Sequence, residues 1–142
     1  MKPLLSILLC CGPLLADLSQ VRAEPNLEKR ATLALDYAER ALKDSRRVYA
    51  DGDAQQSEGL LDQVADAVEL AETSLKDTHK DPIKSPRHFK NAEIKTRGLL
   101  RTIEAFTRDM NAADRSMSDK ARERVQEVHD RLLQNIMTGK KK

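Results

Sequence analysis

The sequence LEKRATLALDYAERALKDSRRVYA, residues 27–50, has the apolar spacing of an amphipathic helix. Its small and apolar side chains recur every three or four positions, which places them on one stripe of a helix. This stripe consists of Leu27, Ala31, Ala34, Leu35, Ala38, Ala41, Leu42, Val48 and Tyr49. Asn26 is a candidate N-cap, and Gly52 can adopt the left-handed conformation that ends many helices. The stretch therefore predicts a helix over about residues 27–50 that buries one face.

Three further stretches carry the same spacing. We predict helices over about residues 54–76, 86–110 and 119–138. Ser85-Pro86 is a strong helix start, and Ser116 or Ser118 can cap the last helix. Helical hairpin repeats of about 34 residues are the alternative architecture, but these helices are too long for it and no repeated consensus occurs. Four long helices with short connections predict an all-α fold, an antiparallel up-down-up-down four-helix bundle occupying residues 24–142.

Residues 1–23 have the composition of a secretory signal peptide. Lys2 supplies a positive charge, and residues 4–16 form an apolar run. Val21-Arg22-Ala23 then places small residues at the −3 and −1 positions of a cut after Ala23. We therefore expect an exported protein, periplasmic or secreted, with cleavage of the signal peptide near Ala23.

Two other interpretations of this leader are weaker. A transmembrane anchor needs about 20 apolar residues, whereas this run is shorter and contains Gly12-Pro13, so no transmembrane helix is expected in the mature form. A lipoprotein acylated at Cys10 or Cys11 would have too short an apolar stretch before its cysteine. Cleavage after Ala23 would remove both cysteines, and the mature protein would then contain no disulfide.

The overall charge balance excludes one class of partner. The chain has 142 residues, with 25 Lys and Arg against 23 Asp and Glu, a formal net charge of +2 and 3% aromatic residues. A nucleic-acid binder would carry a strongly basic surface, often with aromatic side chains on which bases stack. No nucleic-acid partner is therefore expected.

The charges are segregated along the chain. Between Ala54 and Leu75 there are acidic residues and no base, whereas bases dominate between Lys84 and Arg108. One interpretation is structural: the acidic helix pairs with the basic helix that follows it, as flanking charges do in coiled coils. The other is functional: the basic helix faces an acidic protein, an anionic lipid headgroup or a polysaccharide of the cell envelope.

The sequence contains no recognisable catalytic or cofactor motif. The P-loop, dinucleotide-binding, nucleophile-elbow and H-E-x-x-H patterns are missing, and so is the C-x-x-C-H of c-type haem. A di-metal centre in a bundle would need Glu-x-x-His motifs, and no histidine has a glutamate three residues before it. We interpret His79, His88 and His129 as solvated, capping or boundary residues. The sequence therefore predicts no enzyme, no cofactor and no metal.

Two groups of surface residues are candidates for binding. The start of the third helix could hold an anionic group with Lys84, Arg87, His88 and Lys90. Apolar pairs four positions apart, outside the buried stripes, could contact a protein partner or a second copy of the chain: Leu33 with Tyr37, and Leu133 with Met137.

The leading hypothesis is an exported small helical-bundle protein without catalysis. It would act as a protein-interaction, structural or accessory factor of the cell envelope. The alternative is an anion-binding or lipid-headgroup-binding module that uses the basic strip of the third helix.

Overall fold

The computed structural model describes residues 17–139, and this part of the chain is all-helical. Its helices are α1 (Leu18–Arg22), α2 (Leu27–Ala50), α3 (Ala54–Asp77), α4 (Arg87–Asp109) and α5 (Arg115–Thr138). A turn of 3-10 helix, Ala112–Asp114, leads into α5, and residues 17–139 contain no strand. The prediction of an all-α fold class is thus confirmed. None of the helices in this range is long and apolar enough to cross a bilayer.

Capping side chains determine where α2 and α3 begin. Oδ1 of Asn26 accepts a hydrogen bond from the backbone N–H of Lys29, and Oδ1 of Asp53 accepts one from the N–H of Gln56, each at 2.9 Å. Between the two helices Gly52 has a φ of +94°, which glycine adopts without steric cost. The tight turn between α2 and α3 is therefore encoded by its own residues.

Two helix starts differ from the sequence expectation. Ser85 does not cap α4, because Pro86 occupies the N-cap position and makes no side-chain capping bond. α5 begins at Arg115 rather than near residue 119, since the 3-10 turn continues directly into it. Ser118 consequently lies inside the first turn of α5, where its hydroxyl donates to the carbonyl of Arg115 at 2.9 Å and lies 2.8 Å from the Thr107 hydroxyl.

The four long helices surround one apolar core. α2 packs against α3 and α4, and α5 packs against the same two helices, whereas the consecutive helices α3 and α4 touch only slightly. The interior is filled by fully buried aliphatic side chains from all four helices, among them Leu35, Leu61, Val64, Val68, Ile103, Val125 and Val128. Most residues of the apolar stripe that each long helix carries are thus buried, and Leu27, Val48 and Tyr49 at the ends of the α2 stripe are half-buried.

Contacts between the helices give their directions. α2 and α4 run parallel, because Glu28 lies beside His88 near their starts and Tyr49 packs against Phe106 near their ends. α3 and α5 are also parallel, since their ion pairs follow the same order along both helices: Asp62–Lys120, Glu69–Arg124 and Glu72–Arg131. Successive helices alternate in direction, yet each helix has one parallel and one antiparallel neighbour.

The acidic side chains of α3 pair with α5, not with the basic helix that follows α3. Arg131 of α5 donates two hydrogen bonds of 2.8 Å to the buried carboxylate of Glu72. Lys95 of α4 instead contacts Asp36 of α2. The expectation that α3 and α4 pair by charge is wrong, because α4 packs against α2 and α5 and touches α3 only slightly.

Glu72 stays ionised although its residue is only 4% exposed. Burial raises the pKa of this carboxyl, but hydrogen bonds from Arg131 and from Lys76, the latter at 2.8 Å, outweigh burial and lower the pKa below its ordinary value of 4.5. The charged pair therefore joins α3 to α5.

The short helix α1 belongs to the same folded body. Leu18 is 9% exposed and Val21 is 2% exposed, and α1 packs against α2 and α3. Both residues lie inside the segment that the sequence assigns to the signal peptide. The remainder of that predicted segment, residues 1–16, lies outside the described residues.

Candidate functional site

The residues of the predicted anion site do not form a purely cationic cluster. Lys84, Arg87 and Lys90 are exposed, and within residues 17–139 none of them has a carboxylate oxygen within 4.0 Å. Nε2 of His88, however, lies 3.5 Å from a carboxylate oxygen of Glu28. The predicted strip thus contains three exposed bases beside an acidic residue of α2.

The acidic residue in this strip is held ionised by its neighbours. Nζ of Lys80 donates a hydrogen bond of 2.6 Å to Glu28. This bond, opposed by burial and assisted by the charges of His88 and Arg87, lowers the pKa of the Glu28 carboxyl. An incoming anion at the strip would meet this negative charge, so the start of α4 is less favourable for anions than its bases alone indicate.

The two predicted apolar pairs lie on different helices and differ in exposure. Leu33 and Tyr37 on α2 are half-buried against the core, and the Tyr37 hydroxyl donates a hydrogen bond to Gln63. Leu133 and Met137 on α5 are 40% and 72% exposed. The pair on α5 is therefore the more exposed of the two, and the two pairs do not form one surface.

A groove between the parallel helices α2 and α4 was not anticipated from the sequence. It has a volume of about 910 Å³ and is lined by residues from Glu39 to Ala50 on α2 and from Gly98 to Asp109 on α4. These eleven steps along each helix correspond to a length of about 16 Å at 1.5 Å per residue. Its floor is apolar, formed by the buried side chains of Leu42, Leu99 and Phe106.

Tyr49 lines the groove near the ends of α2 and α4. Its ring meets the ring of Phe106 edge-on, with the centroids 5.5 Å apart and the planes at 80°. Its hydroxyl donates to Asp114 and accepts from the backbone N–H of Asn111, each at 2.9 Å. The aromatic wall is therefore fixed to the connection between α4 and α5, which gives the groove a defined shape.

Basic side chains line the α2 side of the groove. Lys43, Arg46 and Arg47 are exposed there, and Arg47 is paired with Asp44 at 3.0 Å. Within residues 17–139, neither Lys43 nor Arg46 has a carboxylate oxygen within 4.0 Å. The acidic lining residues Glu39 and Asp109 lie at the ends of the lining segments, so the groove has two exposed basic side chains without an ion-pair partner beside its apolar floor.

Gly98 leaves the α4 side of the groove open. A Cβ added at this position would meet no atom within 4 Å, so no close packing requires a glycine there. Glycine inside a helix costs about 1 kcal/mol relative to alanine. Gly59 of α3 is equally unobstructed but does not line the groove, which makes it a matched control position.

The histidines do not form a metal site in the described part of the chain. Nε2 of His129 lies 3.0 Å from a carboxylate oxygen of Glu93, and its buried Nδ1 has no hydrogen-bond partner there. No cluster of three or more His, Cys, Asp or Glu side chains suited to a metal ion occurs in residues 17–139. His129 therefore acts as a boundary residue that links α5 to α4.

Comparison with known proteins provides no relative from which function could be transferred. No protein-family model, curated protein or solved structure matches this chain significantly. The chemistry of the groove, an apolar floor with bases along one wall, is therefore the basis for a functional assignment.

Proposed function

We propose that this chain is an exported, non-catalytic accessory protein of the cell envelope that folds as a four-helix bundle and binds a single-chain anionic amphiphile. The contacts that link α2, α3, α5 and α4 in a ring support the bundle. The observation that carries the binding function is the groove between α2 and α4, in which an acyl chain would lie on Leu42, Leu99 and Phe106.

The size of the groove favours a small ligand over a protein partner. Pockets for small ligands have volumes of roughly 300–1,000 Å³, and this groove has about 910 Å³. Stable protein interfaces use roughly 20–30 residues on each side, whereas twelve residues line the groove. An acyl chain lying along the groove would occupy its length and would need no contact surface outside it.

The charges of the groove favour an anionic head group. Lys43 and Arg46 stand beside the apolar floor without a carboxylate partner in the described part of the chain. A carboxylate at the end of an acyl chain would accept charge-assisted hydrogen bonds from them, and such bonds are stronger than neutral ones. A cationic head group would meet two like charges at the same place. We therefore assign the ligand to the class of long-chain fatty carboxylates.

Calorimetric titration with dodecanoate, below its micelle concentration, tests this function. Dodecyltrimethylammonium has the same chain with a positive head group and is expected to bind about tenfold more weakly. An attractive contact between exposed charges is worth about 0.2–1 kcal/mol, and a repulsive contact costs a similar amount. Reversing the head-group charge beside both Lys43 and Arg46 therefore changes the binding free energy by about the 1.4 kcal/mol of a tenfold change. Equal affinity for both amphiphiles would contradict the assignment, since the apolar floor alone would then account for binding.

Two pairs of variants locate the site. Gly98→Phe should abolish dodecanoate binding by filling the groove, whereas Gly59→Phe on α3 should leave it unchanged. Lys43→Glu with Arg46→Glu should weaken binding at least about tenfold. Lys84→Glu with Lys90→Glu makes the same change of net charge at the predicted basic strip and should have little effect. If Lys84→Glu with Lys90→Glu weakened binding more than Lys43→Glu with Arg46→Glu, the anion site would lie at the start of α4.

Protein contact through α5 is the second candidate function. Leu133 and Met137 are exposed one turn apart on this helix, a spacing that can anchor a partner helix or a second copy. Sedimentation velocity tests self-association directly: a dimer that Leu133→Glu with Met137→Glu dissociates would support this surface. A monomer at all concentrations would remove self-association as its role.

A further inference from the structure

A second surface pocket lies between α4 and α5 and shares no lining residue with the groove. It has a volume of about 340 Å³, near the lower end of the roughly 300–1,000 Å³ that pockets for small ligands have. Its lining consists of Glu104, Thr107 and Arg108 from α4 and of Arg115, Asp119 and Arg122 from α5. All of these residues except the threonine are charged, so the pocket suits a small, charged molecule.

Hydrogen bonds hold the two helices together beside this pocket. The hydroxyl of Thr107 lies 2.8 Å from the hydroxyl of buried Ser118, which joins α4 to the first turn of α5. Nε of Arg115 donates a hydrogen bond of 3.3 Å to the carbonyl oxygen of Met110, and this bond restrains the guanidinium group. A site whose groups are already restrained loses less conformational freedom when a ligand binds.

Three charged groups of the pocket have no ion-pair partner in the described part of the chain. Asp119 lies 3.6 Å from Arg122, so these two groups partly neutralise each other. Among residues 17–139, in contrast, no oppositely charged side-chain atom lies within 4.0 Å of Arg108, Arg115 or Glu104. Glu104 precedes Arg108 by four residues, a spacing at which such side chains commonly pair on a helix. The pocket thus has two guanidinium groups and one carboxylate available for a ligand.

These three groups match a ligand that carries both a phosphate and an ammonium group. Guanidinium groups bind phosphate oxygens through paired, charge-assisted hydrogen bonds. A simple anion would leave Glu104 as a repelling neighbour, and a simple cation would meet two arginines. A ligand with both charges avoids each repulsion.

We propose that this pocket binds a zwitterionic phosphate ester, with its phosphate on Arg108 and Arg115 and its ammonium on Glu104. Phosphoethanolamine has this chemistry, either as the free monoester or as the head group of a phospholipid. The site is separate from the groove between α2 and α4, and it depends neither on export nor on binding of a fatty carboxylate.

Two-dimensional NMR titration of the isotope-labelled full chain with O-phosphoethanolamine tests the site. The amide resonances of Thr107, Arg108 and Arg115 should shift, and the shifts give the dissociation constant. Inorganic phosphate should bind about two- to fivefold more weakly, because it lacks the contact between exposed charges at Glu104. Glycerophosphoethanolamine distinguishes the source of the ligand. Binding as tight as that of the monoester would assign the site to lipid head groups, and weaker binding would assign it to free phosphate esters.

Substitutions test the role of each charged group. Arg108→Gln with Arg115→Gln should weaken binding of O-phosphoethanolamine about tenfold. The matched control, Arg87→Gln with Arg101→Gln, removes two other exposed arginines of α4 and should change the dissociation constant less than about twofold. Glu104→Gln should strengthen binding of inorganic phosphate and remove the preference for O-phosphoethanolamine, whereas a purely structural role of this residue would weaken both ligands alike.

Three results would overturn the inference. They are the absence of shifts around the pocket, equal effects of the two arginine pairs, and binding of inorganic phosphate as tight as that of O-phosphoethanolamine. Because none of the substituted residues lines the groove, dodecanoate binding should be the same in all of these variants. Failure of either site therefore leaves the other unaffected.

Discussion

Replacing Leu18 and Val21 together by alanine tests whether α1 contributes to the stability of the fold. Alanine keeps the helix propensity of α1 and removes only its buried side chains. Core leucine-to-alanine changes cost about 2–5 kcal/mol, and the two methyl groups lost from valine add about 1.6 kcal/mol. Because α1 has five residues, it can detach instead of retaining a cavity, so we expect a loss at or below the lower end of this sum, about 2–4 kcal/mol.

Urea unfolding followed by far-UV circular dichroism measures this loss. The matched control is Ser19→Ala with Gln20→Ala, which changes two exposed residues of the same helix and should alter the free energy of unfolding by no more than about 0.5 kcal/mol. If the Leu18 and Val21 variant is also within about 0.5 kcal/mol of the parent, α1 does not contribute to stability by packing on α2 and α3, and the reasoning is refuted.

Three further predictions concern polar contacts and a helix glycine. Arg131→Ala should cost about 2–3 kcal/mol at neutral pH by removing two charge-assisted bonds to buried Glu72. Because the pKa of Glu72 in the folded protein lies below 4.5, this contribution is complete above pH 4.5 and disappears as the pH falls through the folded pKa. The unfolding free energies of parent and variant, measured by chemical unfolding, should therefore converge in acid. Ser45→Ala should cost about 1–2 kcal/mol by leaving the buried hydroxyl of Ser57 unpaired, and in a double-mutant cycle the two alanine changes together should cost less than their sum. Gly98→Ala should stabilise the protein by about 1 kcal/mol in thermal unfolding, because the added Cβ meets nothing within 4 Å; destabilisation would mean that this segment of α4 needs the glycine.

The sequence predicts the helices well because their signals are local. The apolar spacing over residues 27–50 and the cap at Asn26 depend only on neighbouring residues, and the structure has these features in place. The start of α5 is less clear from the sequence. Ser118 can cap a helix, but in the structure it lies within α5, where its hydroxyl is close to the Thr107 hydroxyl of α4. A contact with another helix decides between these roles, and the sequence does not show which helix that is.

The arrangement of the helices could not be read from the sequence for the same reason. An acidic α3 followed by a basic α4 suggests that the two pair, yet Glu72 pairs with Arg131 of α5 and Lys95 pairs with Asp36 of α2. Either pairing satisfies the charges, and the packing of the apolar stripes around one core selects between them. The groove between α2 and α4 can be identified only when these two helices are known to be neighbours.

The candidate residues illustrate the difference between pattern and placement. Leu33 and Tyr37 lie off the apolar stripe of α2, which predicts exposure, but both are half-buried, and Asp17 at the start of α1 lies near Tyr37. Lys43 and Arg46 carried no special signal, because bases on an exposed helix face are common. Their significance comes from the apolar floor next to them and from the absence of a carboxylate partner within the described residues.

The most direct test of the proposed binding function is to locate a bound fatty acid on the protein. Stearate with a nitroxide on its chain, added to isotope-labelled protein, broadens the amide resonances nearest to the label in two-dimensional NMR spectra. We predict broadening centred on Leu42, Gly98 and Thr102, which line the groove, and its loss in Gly98→Phe. Broadening centred on Leu133 and Met137, or none above the level produced by the free spin label, would contradict the assignment of the groove as the binding site.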